Sequence, residues 1–107
     1  MYSQVRRVGD DVVIALGGDV DLSTAPALTQ VLRRAISTAT GSAGKVVIDL
    51  DGVMVLDDTA LGLLVGAAAS ARRAGLDIAV ICTEARMRER LTETRLDQII
   101  DVRSGTD

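Results

Sequence analysis

Short apolar runs alternate with longer amphipathic stretches along this chain. Tyr2 to Val8 is a loose strand candidate, Gly9-Asp10-Asp11 a turn, and Val12-Val13-Ile14-Ala15-Leu16 a buried strand; a hairpin makes these two strands antiparallel neighbours. Leu28, Val31, Leu32, Ala35, Ile36 and Ala39 then recur at helical spacing, with Gln30, Arg33, Arg34 and Ser37 on the other side. This predicts an amphipathic helix over about residues 24–40, capped by Ser23 or Thr24, with Pro26 in its first turn. Val46 to Leu50 reads as a central strand buried on both faces, and Ile78 to Cys82 as another buried strand. Between them lies a helix from about Asp58 to Ala74, closed by Gly75. Thr83 is placed to cap a short helix in which Glu84 and Arg88 are four residues apart, and Ile99 to Val102 is a last edge strand. Helices alternating with strands after a hairpin predict an α/β fold. It is a mixed, largely parallel sheet with an N-terminal antiparallel hairpin and about three helices.

In such sheets function gathers beyond the carboxyl ends of the strands. Two turns are expected at that edge, Gly17 to Asp21 and Asp51 to Thr59. The helix after the second turn has an unusual surface. Leu61, Leu64, Val65, Ala68 and Ala71 form its buried face. Thr59, Gly62, Leu63, Gly66 and Ser70 cluster opposite, where an ordinary solvent face carries Lys, Glu or Gln. Two glycines weaken a helix by roughly 1 kcal/mol each relative to Ala. A bare, small-residue face lets another backbone approach closely. The expectation is a docking surface with Leu63 as its apolar anchor, against the alternative that this face packs within its own domain.

Composition narrows the picture. The 107 residues suffice for one domain, 1–107, and are too few for two. With no Phe, no Trp and one Tyr, the core must be built from Val, Ile, Leu and Ala. The net charge of −3 is dispersed. Arg86, Arg88 and Arg90 are interleaved with Glu84, Glu89 and Glu93, so there is neither a basic footprint nor an aromatic platform for nucleic acid. Cys82 is the single cysteine and reads as a small buried hydrophobe. The apolar stretch Ala60 to Ala71 is too short to insert in a membrane, no signal peptide is visible, and a cytoplasmic location is the default.

Enzymatic chemistry finds little purchase. Without histidine there is no ordinary Ser-His or Cys-His nucleophile pair. Gly41-Ser42-Ala43-Gly44-Lys45 is too short for a phosphate loop and precedes a strand. Asp19, Asp21, Asp57 and Asp58 would converge if the two turns are adjacent, as a Mg²⁺-dependent phosphoryl-transfer site requires. Acids also enrich helix starts, and that reading alone accounts for Asp57 and Asp58. No catalytic residue, metal or cofactor is expected. Thr59 places a hydroxyl in the first turn of the bare helix, where a phosphate would meet unpaired N–H groups and add about −1.5 to −2 charges beside Asp57 and Asp58. Simple capping is the other role open to it.

Two segments carry a family resemblance. Gly18-Asp19-Val20-Asp21-Leu22-Ser23-Thr24-Ala25 resembles the Gly-Glu-x-Asp turn of the STAS domain family, and Leu56-Asp57-Asp58-Thr59-Ala60-Leu61-Gly62 resembles the Asp-Ser-Ser-Gly-Leu-Gly segment that holds the phosphorylated serine of its anti-sigma factor antagonists. Arg88 to Val102, with Leu91, Leu96, Ile99 and Ile100, is similar to the family's closing segment. Thr59 stands for the usual Ser, Asp58 for a neighbouring Ser and Ala60 for Gly, and no closing helix is expected after Val102. The resemblance implies a partner-switching STAS domain. Its partner would be an anti-sigma factor with a kinase-like ATP-binding domain, which the unmodified protein binds so that a sigma factor is freed. Thr59 is the implied phosphorylation site and a phosphatase resets it. The partner-binding residues expected from the helix face and the resemblance together are Asp21, Ser23, Thr24, Asp57, Asp58, Gly62, Leu63 and Gly66. A second reading is a constitutive STAS adaptor, such as the cytoplasmic subunit of a lipid-transport ABC system, using the same face without phosphate control.

Overall fold

The computed structural model describes residues 1–41, 44–95, 98 and 100–103. In chain order the elements are β1 (Tyr2–Val8), β2 (Asp11–Val20), a 3₁₀ turn (Leu22–Thr24), α1 (Ala25–Ala39), β3 (Lys45–Leu56), α2 (Asp58–Arg73), β4 (Asp77–Ile81), α3 (Ala85–Glu93) and β5 (Asp101–Arg103). They form one five-stranded sheet in the order β1-β2-β3-β4-β5. β1 and β2 pair antiparallel, and every later neighbour pairs parallel. The hairpin, the parallel remainder and the three helices follow the hydrophobic pattern. Leu96 and Ile99 of the closing segment, Ser42 and Ala43 of the loop before β3, and the residues after 103 lie outside the described residues.

One face of the sheet carries the main core. Ile14, Leu16, Ile48, Leu50 and Val80 from the strands meet Leu28, Leu32 and Ala35 of α1, Leu61, Leu64 and Ala68 of α2, and Met87 and Leu91 of α3. On the other face, Val13, Val47 and Ile81 form a small separate cluster, which is why successive residues of the strand runs are apolar at most positions. Leucine and alanine on the helices and β-branched residues on the strands fill this space without a single buried aromatic. α2 ends as its sequence suggests: Gly75 takes a φ of +77°, and its N–H donates to the Arg72 carbonyl at 3.0 Å.

The two strands leading to the functional edge are longer than the pattern predicts. The segments expected as turns, Gly17 to Asp21 and most of Asp51 to Thr59, are largely strand. Gly17 pairs with Gly52, Gly18 with Val53, Asp19 with Val55 and Val20 with Leu56, through register shifts on either side of Gly17-Gly18. Glycine is required here for closeness. The Tyr2 ring lies where a Cβ on Gly17 would be, and a Cβ on Gly52 would press within 2.9 Å of the Leu16 carbonyl oxygen. Glycines that read locally as turn signals thus allow two strands to run close together. The shifts act as bulges that re-aim the strand ends.

Candidate functional site at the β3–α2 turn

The two strand-to-helix turns lie against one another. The Asp57 N–H donates to the Val20 carbonyl at 3.2 Å, and the Leu22 N–H donates to Asp57 Oδ2 at 2.9 Å. The first turn closes on itself. Asp21 Oδ1 accepts from the Ser23 N–H at 3.0 Å and from the Ser23 hydroxyl at 2.6 Å, while the Asp21 N–H donates to Thr24 Oγ1 at 3.0 Å. This is a reciprocal capping box around the 3₁₀ turn. The side-chain cap of α1 expected from Ser23 or Thr24 is not made: Asp21 caps the 3₁₀ turn, and Thr24 holds the N-cap position of α1 without a side-chain cap bond. The Ser23 hydroxyl, followed by the local N–H groups, holds the Asp21 carboxyl below the usual aspartate value.

The second turn is capped by Asp57, whose Oδ1 accepts from the Ala60 N–H at 2.9 Å. One carboxylate thus secures the start of α2 with one oxygen and ties it to the neighbouring turn with the other. Thr59 follows, exposed to solvent. Capping was one role open to its hydroxyl, but Asp57 fills that role, and the Thr59 side chain makes no hydrogen bond among the described residues. Asp58 points outward, with 98% of its side chain accessible, and pairs with Arg90 of α3 at 3.3 Å. So exposed a pair contributes under about 1 kcal/mol.

Past the turn, the bare face of α2 is open. A Cβ added to Gly62 or Gly66 would meet nothing within 4 Å. The face is therefore not consumed by packing inside the subunit. Leu63, expected as the apolar anchor of this face, does not stand fully clear of the fold. It is half-buried, packed on the main core and lining a groove between α1 and α2 together with Leu32 and Ile36. Val65, expected inside, is also only half-buried. Beyond the carboxyl end of β4, Thr83 does not cap α3. Its N–H and hydroxyl donate to Asp51 at 2.7 and 3.0 Å, and Glu84 takes the cap position with no side-chain bond.

An apolar rim, unexpected from the sequence, borders the turn. Leu22, Met54 and Val55 flank the turn with 69, 79 and 49% of their surfaces exposed. The signal was present in Val53-Met54-Val55-Leu56, four apolar residues in succession at a strand end where both faces are not covered. The structure also weighs against the carboxylate-metal reading. Asp21 and Asp57 spend oxygens on backbone N–H groups, and among the described residues no three His, Cys, Asp or Glu side chains gather as a metal site. Cys82 is buried, and burial, reinforced by the Asp51 charge, pushes its thiol pKa up, away from reactivity. No described helix is long and apolar enough to cross a membrane.

The STAS domain family model matches residues 2–107. The chain belongs to the STAS family. Among solved structures, this STAS domain is similar to a Thermotoga maritima protein described as an anti-sigma factor antagonist, at 18% identity and a TM-score of 0.83, over 96% of this chain and 86% of that one. It is similar to the Bacillus cell-fate determinant SpoIIAA in its phosphorylated form, at 18% identity and a TM-score of 0.72, over 99% and 93% of the two chains. An anti-sigma factor antagonist from Mycobacterium paratuberculosis matches at 22% identity and a TM-score of 0.76, over 99% and 87%. At these identities the likeness establishes the fold. A search of curated sequences returns no match.

Proposed function

We propose that this STAS domain is an anti-sigma factor antagonist switched by phosphorylation of Thr59. The observation that carries the reading is the division of labour at the start of α2: Asp57 caps the helix, and the Thr59 hydroxyl is left exposed beside it. In the unmodified state the apolar rim and the open α2 face, with Asp21, Ser23, Thr24, Asp57, Asp58, Gly62, Leu63 and Gly66, receive an anti-sigma factor bearing a kinase-like ATP-binding domain, and the sigma factor is released in the cytoplasm. Transfer of the ATP γ-phosphoryl group to Thr59 Oγ1 releases ADP and the hydroxyl proton. It leaves about −1.5 to −2 charges next to Asp57 and Asp58. The N–H groups of the helix start hold the phosphate. The added charge and hydration oppose re-docking of an apolar, desolvated interface, and a phosphatase that hydrolyses the ester restores it. The match to a neighbour solved in a phosphorylated form supports the same reading.

The test pairs modification with binding. A kinase partner should phosphorylate the wild type and leave Thr59→Ala unmodified, and Thr59→Glu should bind that partner about tenfold more weakly or worse. Equal binding by all three proteins would remove the switch.

A further inference from the structure

We propose that the groove between α1 and α2 receives an acidic amphipathic helix of the protein partner. This rests on the antagonist reading and adds the chemistry of what docks. The groove encloses about 640 Å³ and runs from Thr29 to Thr40 along α1. Those eleven steps of helix correspond to about 16 Å, or three turns. Its shape is a trough between two helices that both return along the sheet between parallel strands. Leu32, Ile36 and Leu63 supply an apolar floor. Gly62 and Gly66, one turn apart, remove side chains from one wall, so that another helix backbone can come close.

Charge decides the kind of helix. Arg33 and Arg73 are the charged residues lining the groove, and no acid lines it. Arg73 donates to the Ser70 hydroxyl at 3.2 Å, and neither arginine pairs with a carboxylate among the described residues. In a chain of net charge −3, with Asp57 and Asp58 at the start of α2, this is a local basic trough awaiting a complementary surface. A helix with an apolar ridge flanked by Glu or Asp fits both the floor and the rim.

The test titrates the whole ¹⁵N-labelled chain with a synthetic helical peptide. The peptide carries leucines at positions i, i+3, i+4 and i+7 with glutamates on either side; a control peptide has every Glu replaced by Lys. The acidic peptide should shift the amides of Gly62, Leu63, Gly66 and Ser70. The double variant Arg33→Glu/Arg73→Glu should bind it roughly tenfold more weakly and gain affinity for the lysine peptide. Equal shifts from both peptides, or none from either, would overturn the proposal. So would saturation of the same amides by sodium laurate when neither peptide binds, which would mark a lipid-anion pocket. The titration does not depend on modification of Thr59. A groove that fails leaves the kinase test standing, and a Thr59 that is never phosphorylated leaves the titration readable.

Discussion

The two strand-to-helix turns share residue types and sit side by side, but they spend their hydroxyls differently. At the first turn Ser23 and Thr24 are both engaged with Asp21 in a closed box. At the second, a single carboxylate does the capping, and the Thr59 side chain makes no hydrogen bond among the described residues. Both turns need a cap, because the first N–H groups of any helix lack intrahelical partners. Both meet it with an aspartate, but only at the first do the neighbouring hydroxyls join the cap. Hydroxyls in the first turn hold that turn closed; the Thr59 hydroxyl in the second is exposed to solvent. The same contrast extends along the helices. The solvent face of α1 carries Gln30, Arg33, Arg34 and Ser37, whereas that of α2 carries Gly62 and Gly66.

The sharpest way to break this comparison is to remove the shared carboxylate. Asp57→Ala deletes the cap of α2 and the bond to Leu22 together, and should cost about 2 kcal/mol in chemical denaturation; a loss near zero would mean the two turns are not coupled through it. Next comes the bare face. Gly66→Ala should stabilise the fold by about 1 kcal/mol, since the added methyl meets no atom and helix propensity rises. Partner binding should fall in the same variant, and pull-down against thermal melting separates the two effects. A Gly66→Ala that destabilises would show the glycine serves the fold itself. Thr59→Val should change stability by less than about 0.5 kcal/mol, because no hydrogen bond of the fold is lost. The smallest effect is a pH dependence at the first turn. Asp21 has a lowered native pKa, so its charge stabilises the fold above the unfolded value of 3.8, and that contribution is lost as pH falls through the lower native value. Urea midpoints of wild type and Asp21→Asn should differ at pH 7 and converge in strong acid.

Much of this was legible in the chain. The spacing of Leu28, Val31, Leu32 and Ala35 defined α1, and Gly75 ended α2, because both signals are local. The β3–α2 turn was also locatable, since Asp57 at a helix start and a glycine-bearing face next to it are sequence features. What escaped were features that depend on partners distant in sequence. The extensions of β2 through Gly17-Gly18 and of β3 through Gly52 look like turns because glycine is a local breaker; they are strands because Tyr2 and the facing backbone require the missing Cβ. Thr83 looks locally like a cap, but Asp51 of the neighbouring strand β3 holds it.

By itself the sequence determined the periodicity, hence the α/β alternation, the one-sided amphipathicity of α1 and the absence of histidine chemistry, because these follow from side-chain type and spacing along a single segment. Tertiary structure alone decided which hydroxyl is spare, which apolar side chains form the exposed rim, and that α1 and α2 leave an acid-free trough between them. Each of these is a relation between groups brought together by sheet register, and register depends on pairings that no local window of residues contains.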